Sequence, residues 1–361
     1  MILRYGAEPM KNIVRAVLFA TGLAATALMA CGPTCASAED KVILGTDWKA
    51  QAGHGGFYQA LADGTYKKYG LDVEIREGGP QVNNRPMLSA GKIDFLIAGN
   101  LLLSFDNVKN HVPTVVVAAV NQKDPQALMA HEGAGFNTFA DLKKAKVILV
   151  SKDGQFSFWQ WMVAEKGFKD EQLRPYNYSI AQFLAEPGAV QQAYATAEPL
   201  YAENAGVKTR TFLLADEGWN TYSSTIETRW DMVKNKPDVV RRFIDASIIG
   251  WYNFLYGDHS GAYGLIEKEN PEMTQAKLDA EVAKIRQLGL IDSGDALTKG
   301  IGAIDTDRVK SFYDKMVKAG LYKAQDVDIS KVATNQFVDK GVGLDLRKKL
   351  VGQSVASANA R

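Results

Sequence analysis

The chain has 361 residues, 46% of them hydrophobic, and it carries 42 lysines and arginines against 41 aspartates and glutamates. This balance excludes the basic excess of a nucleic-acid-binding protein, and there is no polybasic patch of the kind that binds a membrane surface. The length predicts two domains with a buried core.

The first 38 residues have the pattern of an export signal. Lys11 and Arg15 precede the apolar run AVLFATGLAATALMA, and Ala36-Ser37-Ala38 fits a signal-peptidase site. A membrane-spanning helix needs about 20 apolar residues, so we predict a cleaved signal peptide over 1–38. Its start is Met1 or Met10, and the alternative reading of LMAC as a lipoprotein box would anchor the chain through Cys31.

Both cysteines, Cys31 and Cys35, lie in this segment. Its removal leaves no thiol for a disulfide, an iron–sulfur cluster, a zinc site or a nucleophile. The four histidines show no paired ligand spacing, and no GxSxG, P-loop or HExxH motif occurs. The sequence therefore predicts no metal, no cofactor and no catalytic residue.

From Val42 onward, short apolar runs alternate with helical stretches, as in a sheet with crossover helices. The runs KVILGTD, LDVEIRE, IDFLIAG and TVVVAAV predict strands, and TVVVAAV is apolar enough for a central strand. Between the first two, GFYQALADGTYKKYG predicts one helix that ends at Gly70. The pattern restarts near Phe136.

The second block runs from Phe136 to about Asp216. It has predicted strands at Val147–Val150 and in VKTRTFLLADEG, and AVQQAYATAEPLYAENAG predicts a helix and a turn. Beyond Thr225 the pattern predicts helices alone.

We therefore predict an α/β protein of two βα lobes with a helical C-terminal tail packed on lobe one. Two crossings join the lobes, near Gln122–Met129 and Gly218–Ile226. The predicted limits are 39–124 for the first part of lobe one, 125–220 for lobe two, and 221–361 for the return to lobe one.

Four segments carry a resemblance to a known family: GFYQALADGTYKKYGLDVEI, LSAGKIDFLIAGN, QQAYATAEPLYAE and KPDVVRRFIDASIIGWYNFLYGD. In order and spacing they resemble the nitrate/sulfonate/taurine class of substrate-binding proteins of ABC importers. That class shares a superfamily with the binding proteins for thiamine-precursor pyrimidines and with the fungal thiamine-pyrimidine synthase. The similarity extends from about Lys41 to Tyr322.

The resemblance implies a two-lobe, type II-like periplasmic-binding-protein fold that closes on a small solute by a hinge motion. It implies a monomer in the periplasm that delivers its ligand to the transmembrane subunits of an ABC permease. Contact with the membrane would then come only through the permease or through the alternative anchor at Cys31.

The first predicted set of ligand contacts follows strands of lobe one. In open α/β sheets, ligands lie beyond the carboxyl ends of the strands. Trp48 offers a flat face there, His54 has the spacing of the pyrimidine-binding members, and Gly55 permits close approach of the backbone. Asn100 ends the strand in IAGN. The structural alternatives are rim packing for Trp48, a helix cap for His54 and a tight turn for Gly55.

The second predicted set belongs to lobe two and the return crossing. Ser151, Gln155 and Phe156 follow the strand Val147–Val150. Glu198 in ATAEP matches an acidic position of the family, and a carboxylate there favours a ligand with N–H donors; a turn that caps the adjacent helix is the structural alternative. The remaining candidates are aromatic, with packing as the alternative: Tyr194, Trp219 and Tyr222.

These residues favour a planar polar, heterocyclic or aromatic solute. A sulfonate or nitrate is the alternative, but the nearest basic residues, Lys49 and Arg85, are not obvious anion ligands. A pyrimidine-synthase-like enzyme is a further alternative. That enzyme has a cysteine-rich iron-binding segment where this chain reads DEGWNTYSSTIE. A sensor with the same fold is the last alternative.

Overall fold

The computed structural model describes residues 39–79 and 82–359. The predicted signal peptide over 1–38, with Cys31, lies outside these residues. From Glu39 onward the chain forms one compact unit, so the predicted domain limits within it stay predictions. In the part of the chain that is described, no helix is both long enough and apolar enough to cross a bilayer.

The strands of the described residues form two five-stranded sheets. In chain order they are β1 (Asp40–Gly45), β2 (Leu71–Arg76), β3 (Phe95–Asn100), β4 (Thr114–Asn121), β5 (Gln126–His131), β6 (Ile148–Val150), β7 (Leu173–Pro175), β8 (Val190–Tyr194), β9 (Thr209–Leu213) and β10 (Ser223–Arg229).

The first sheet has the strand order β2-β1-β3-β10-β4, and the second has β7-β6-β8-β5-β9. In each sheet three strands pair in parallel, and one strand runs antiparallel between them and the fifth strand: β10 in the first sheet and β5 in the second. We call 39–121 with 223–359 the first lobe and 126–213 the second lobe. The chain crosses between them at 122–125 and 214–222. The predicted α/β fold class is confirmed.

Helices cover both sheets. They are α1 (Gly55–Ala62), α2 (Thr65–Lys68), α3 (Arg85–Ser89), α4 (Leu101–Lys109), α5 (Lys152–Gln155), α6 (Phe158–Trp161), α7 (Ala181–Ala185), α8 (Glu198–Asn204), α9 (Trp230–Asn235), α10 (Pro237–Tyr256), α11 (Ser260–Glu269), α12 (Gln275–Gln287), α13 (Ala296–Lys299), α14 (Thr306–Lys318) and α15 (Leu344–Asn359). Short 3₁₀ turns lie at Ala52–His54, Phe139–Lys144, Asp170–Gln172, Leu214–Glu217 and Ile329–Lys331, and a π turn lies at Met162–Lys166.

The strand β4 is not central, although its sequence predicts a central strand. It is the last strand of its sheet, yet all of its residues are buried. The reason is that the tail covers its free edge: the Val116 N–H donates to Val332 O at 3.0 Å, and the Ala119 N–H donates to Gly302 O at 2.9 Å. An edge covered in this way is protected from pairing with another chain.

Two strands contradict the sequence prediction. β8 lies where a helix and turn were predicted, and β10 extends to Arg229, beyond the point where strands were expected to stop. Both strands are rich in polar residues, so they lack the run of apolar residues from which a buried strand is predicted. Glu227 of β10 is buried, and its carboxylate accepts hydrogen bonds from Ser104 Oγ at 2.5 Å and Asn107 Nδ2 at 3.1 Å.

The helix predicted to run to Gly70 is interrupted. Gly64 adopts a left-handed φ of 72° between α1 and α2, a conformation that glycine reaches without steric strain. The long helix α10 packs on α1, where the rings of Phe57 and Trp251 make an edge contact with centroids 5.7 Å apart. This packing fixes the turn that precedes α1.

Candidate functional site

The carboxyl ends of parallel strands lie beside the crossings in both lobes. In the first sheet, Asn100 and Asn121 at the ends of β3 and β4 pair with Ser223, where the second crossing enters β10. In the second sheet, Tyr194 at the end of β8 pairs with Gln126, where the first crossing enters β5. The turns after these strands therefore meet where the two lobes join.

An aromatic contact links the lobes at this edge. The ring of Trp48, after β1, lies 5.3 Å from the ring of Tyr178, after β7, at an angle of 43°. Tyr178 is 50% exposed and has a φ of 59°, and its ring lies 5.5 Å from that of Tyr176. Trp48 is predicted from the sequence, but Tyr176 and Tyr178 are not, because LRPYNYSI shows no ligand-binding pattern.

Buried hydrogen bonds fix the turn that carries Trp48. The Thr46 hydroxyl donates to Trp48 O at 2.6 Å and accepts from the Gly78 N–H at 3.0 Å. Asn84 Nδ2 donates to Thr46 O at 2.9 Å. The indole is therefore held at the strand end, where it can stack on a flat solute.

Glu198 is the first residue of α8 and faces the aromatic cluster. Its Oε1 accepts a hydrogen bond from the Tyr176 hydroxyl at 2.9 Å, and its Oε2 accepts from the Tyr194 N–H at 2.7 Å. Burial raises the pKa of this carboxyl, and the two hydrogen bonds oppose that rise. Glu198 is thus oriented by its own lobe, and it keeps acceptor capacity for a ligand donor.

Tyr194 lies among carboxyl groups from three parts of the chain. Burial raises the pKa of its hydroxyl well above the usual range, and the charges of Asp124, Asp47 and Glu198 add to the rise. Asp47 belongs to the first lobe, Asp124 to a crossing and Glu198 to the second lobe. Carboxyl groups from both lobes and a crossing thus act on one hydroxyl at the junction, and such a set of acceptors suits a solute with N–H donors or positive charge.

The turn containing His54 packs tightly. His54 is buried, and its Nε2 lies 3.1 Å from Asp47 Oδ1, while Nδ1 has no partner among the described residues. Gly55 is required by helix packing, and its close approach to a ligand stays a prediction. A Cβ on Gly55 would lie 2.0 Å from the ring of Phe254, so this glycine serves the contact between α1 and α10.

Other predicted contacts are engaged in local hydrogen bonds. Asn100 Oδ1 caps α4 by accepting from the Leu102 N–H at 3.1 Å. The buried Ser151 caps α5 through the Gly154 N–H at 3.1 Å, and Gln155 Nε2 donates to Val150 O at 3.1 Å. Their ligand contact stays a prediction.

Phe156 lies at the end of α5. Its side chain is 71% exposed, and no aromatic partner of it is found among the described residues. Its contact with a ligand also stays a prediction.

Trp219 and Tyr222 lie in the second crossing and do not reach the surface. Trp219 is 0% exposed, and its ring packs against those of Trp161 and Phe312 at 5.3 and 5.1 Å. Tyr222 is buried beneath the guanidinium of Arg308, which lies 4.0 Å from the ring centroid. Both residues pack the second crossing, as the packing alternative has it, and their contact with a ligand stays a prediction.

Hydrogen bonds join the two crossings to each other. The Trp219 Nε1–H donates to Asp124 Oδ2 at 2.9 Å, and Arg308 Nη2 donates to Gln122 O at 2.7 Å and to Thr221 O at 3.1 Å. Asp124 is buried, and its burial raises the pKa of its carboxyl to about 6. The contact between the two crossings thus contains an ionisable group.

Two surface cavities lie within the second lobe. One of about 540 Å³ is lined by Phe136, Lys144, Val147 and Glu186 among others, and one of about 210 Å³ is lined by Leu149, Tyr176 and Gln182 among others. Neither is the gap predicted between the lobes, whose strand-end turns are in contact here. No group of three His, Cys, Asp or Glu side chains suited to a metal occurs in the described ranges.

Residues 51–256, over half of the chain, match the model of the NMT1/THI5-like family. The chain belongs to the NMT1/THI5-like family. The match includes His54 and Glu198, begins just after Trp48 and ends with α10. The family resemblance seen in the sequence is confirmed.

Among known proteins, the riboflavin-binding protein RibY of Chloroflexus aurantiacus is 25% identical over 237 residues. These residues are 64% of this chain and 66% of RibY, so the chain spans slightly less than two thirds of that relative.

Solved structures share the fold of this NMT1/THI5-like chain. The periplasmic aliphatic sulphonate binding protein SsuA from Escherichia coli superposes with a TM-score of 0.57 at 14% identity, over 81% of this chain and 91% of SsuA. The desulfurization enzyme DSZB superposes with a TM-score of 0.52 at 12% identity, over 86% of this chain and 99% of the enzyme. The predicted periplasmic-binding-protein fold is confirmed.

Proposed function

We propose that this chain is the substrate-binding protein of an ABC importer and captures a planar, N–H-bearing heterocyclic or aromatic solute between its lobes. The observation that carries this proposal is the arrangement of Trp48, Tyr178 and Glu198 at the junction. Two rings from opposite lobes offer flat faces, and an oriented carboxyl beside them offers acceptors. Binding is coupled to closure because each lobe supplies part of the site.

The chemistry of the junction favours such a solute over a sulfonate or nitrate. Lys49 pairs with Glu272 at 3.5 Å, and Arg85 Nη2 donates to Leu103 O and Asn107 Oδ1, both at 3.1 Å. Both cations are therefore already paired, and neither is free to bind an anionic solute beside Asp47 and Glu198. The relative RibY is named as a riboflavin-binding protein, which supports a flat heterocycle as the solute. SsuA is named as a sulphonate-binding protein, which supports the alternative.

The rest of the proposal follows from this role. A signal peptide over 1–38 exports the chain, the lobes close by hinge motion at 122–125 and 214–222, and the closed monomer meets the permease. The bound solute is released chemically unchanged. Because the enzyme DSZB has the same fold, catalysis of a reaction is the alternative function, and the experiment below has to exclude it.

The test is a binding screen of the purified protein by thermal shift and calorimetry. It includes riboflavin, an aminopyrimidine, an aromatic acid, an alkanesulfonate and nitrate. We expect a flat N–H-bearing compound to bind with a Kd of about 10 μM or lower, which corresponds to roughly −7 kcal/mol. Mass spectrometry of the recovered compound should show no conversion. Tightest binding of the sulfonate or nitrate, or steady product formation, would contradict the proposal.

A further inference from the structure

Glu281 of α12 is a buried carboxyl with an unused acceptor. It is 2% exposed, and its Oε2 accepts a hydrogen bond from the Ala52 N–H at 3.3 Å. Its Oε1 has no hydrogen-bond partner among the described residues. Buried polar atoms are normally paired, because an unpaired one costs about 1–3 kcal/mol. An unpaired carboxyl oxygen at this place therefore requires an explanation.

The helix face that carries Glu281 meets α8 of the second lobe. Lys277 lies one turn before Glu281 on the same face of α12. Its ammonium lies 5.7 Å from the ring centroid of Tyr201. Tyr201 in turn lies three residues after Glu198 on α8, so the faces that carry Glu281 and Glu198 are turned toward each other across the junction.

The electrostatics agree with this placement. Burial raises the pKa of Glu281 to about 8, and the charge of Glu198 adds to the rise while Lys277 opposes it. Burial also raises the pKa of the Tyr201 hydroxyl, and the charges of Glu281, Glu198 and Glu272 add to it. Glu281 also lies next to the Ala52–His54 turn, through its hydrogen bond to Ala52.

The charged and titratable groups around Glu281 are mainly acidic. They are Glu198 and Tyr201 on α8, Tyr263 on α11, Lys277 on its own helix, Glu272 before that helix, and His54 in the turn that contains Ala52. The one ammonium in this set is occupied, since Lys277 Nζ donates to Glu272 O at 2.7 Å. Closing the lobes without a ligand brings two carboxyls together, and a positive or N–H-donating solute between them would relieve their repulsion.

We propose that Glu281 is a second ligand-binding carboxyl, supplied by the first lobe, and that Glu281 and Glu198 bind N–H donors or positive charge on two sides of one solute. This inference rests on the proposed function and narrows its ligand class. The solute carries donors on more than one edge, or it is a cation. An anion is rejected from both lobes at once.

The test uses benzamidine and benzoate, which are planar and similar in size but opposite in charge. Calorimetry gives the ratio of their affinities for the wild-type protein, Glu281→Gln and the control Glu272→Gln, whose carboxyl is solvent-exposed in the same region. We expect the wild-type protein to prefer benzamidine by about tenfold or more, Glu281→Gln to lose about tenfold of that preference, and Glu272→Gln to keep it.

The pH dependence supplies a second readout. The preference for benzamidine should grow in the wild-type protein as the pH rises through about 8, where Glu281 ionises, and this growth should be absent in Glu281→Gln. Glu281→Asp keeps the charge and should retain both the preference and its pH dependence in part. If Glu281→Gln does not fold, the pH dependence measured with Glu281→Asp tests the role of Glu281 instead.

The outcomes separate this inference from the proposed function. Equal preferences in the wild-type protein and Glu281→Gln, or no preference for benzamidine in the wild-type protein, would overturn the role of Glu281. The proposed function would still stand if a heterocycle of the first screen binds. Failure of the wild-type protein to bind any compound of either set would overturn both.

Discussion

Trp48 and Tyr178 belong to different lobes, and their rings lie 5.3 Å apart. Each follows the carboxyl end of a strand, β1 or β7, that pairs in parallel with its neighbour. In the proposed function, a flat solute enters between these rings when the lobes separate, and the rings then cover its two faces. In that proposal, the distance between the two rings measures how far the lobes have closed.

Trp48→Ala should weaken binding of the best compound of the screen by about tenfold or more, which is about 1.4 kcal/mol. The indole is half-buried and its turn is held by Thr46, so the thermal stability should change little. Calorimetry and thermal melts measure both effects. The control is Trp230→Ala, a half-buried tryptophan at the opposite end of the first sheet. Equal losses of affinity in the two variants would refute a specific role for Trp48.

Glu198→Ala should also weaken binding by about tenfold or more. It removes the acceptor of the Tyr176 hydroxyl and the Tyr194 N–H, so the free energy of unfolding should fall by about 1–3 kcal/mol. Glu203→Ala is the control, since Glu203 is an exposed carboxyl on the same helix. Isothermal titration and urea unfolding give the two quantities. Unchanged affinity in Glu198→Ala would remove this residue from the site.

Asp124→Asn should reduce the pH dependence of stability. The carboxyl of Asp124 has a pKa of about 6 in the folded protein against the usual 3.8, because burial disfavours its charged form. Protonation between pH 7 and 5 therefore favours the folded state, by about 1 kcal/mol at pH 5. Below about pH 4 the contribution is complete, and it is lost as the pH rises through 6.

Other buried carboxyls contribute to the same pH dependence, so the measured quantity is the difference between variant and wild type. Urea unfolding at pH 5 and pH 7 provides it. Asp170→Asn is a matched control, because Asp170 accepts a hydrogen bond from the Trp159 indole at 2.8 Å but is exposed. If both variants keep the wild-type pH dependence, Asp124 is not the titrating group.

Gly55→Ala should lower the free energy of unfolding by about 2 kcal/mol or more through overpacking. The added Cβ would lie 2.0 Å from the Phe254 ring, which belongs to the core and cannot move away easily. Gly264→Ala is the control: it lies in α11 with open space around it, and alanine there should be neutral or stabilising by up to about 1 kcal/mol. Chemical denaturation measures both. A neutral Gly55→Ala would show that α1 and α10 pack loosely.

The sequence predicts the fold class and the family because both depend on local patterns. Trp48 directly follows an apolar strand, and Glu198 lies in a recognisable segment, so both are found without a structure. Polar strands are not found in this way. The pattern of β8 and β10 is hidden because buried polar residues such as Glu227 have partners that are far away in the sequence.

The rest of the candidate site depends on contacts between distant parts of the chain. Glu281 lies on an ordinary amphipathic helix, and only the folded structure brings it to Ala52 and to the face of α8. Trp219 shows the opposite case. Its position near a crossing suggests a ligand contact, but in the structure the rings of Trp161 and Phe312 pack around it.

The position of β10 affects the order in which the protein can fold during its synthesis. This strand lies between β3 and β4, although about a hundred residues of chain separate it from them. The second lobe has all its strands within 126–213, so it can form as soon as that stretch has emerged from the ribosome. The sheet of the first lobe cannot be completed until β10, which ends at Arg229, has been synthesised. Until then the apolar β4 can bind chaperones or aggregate.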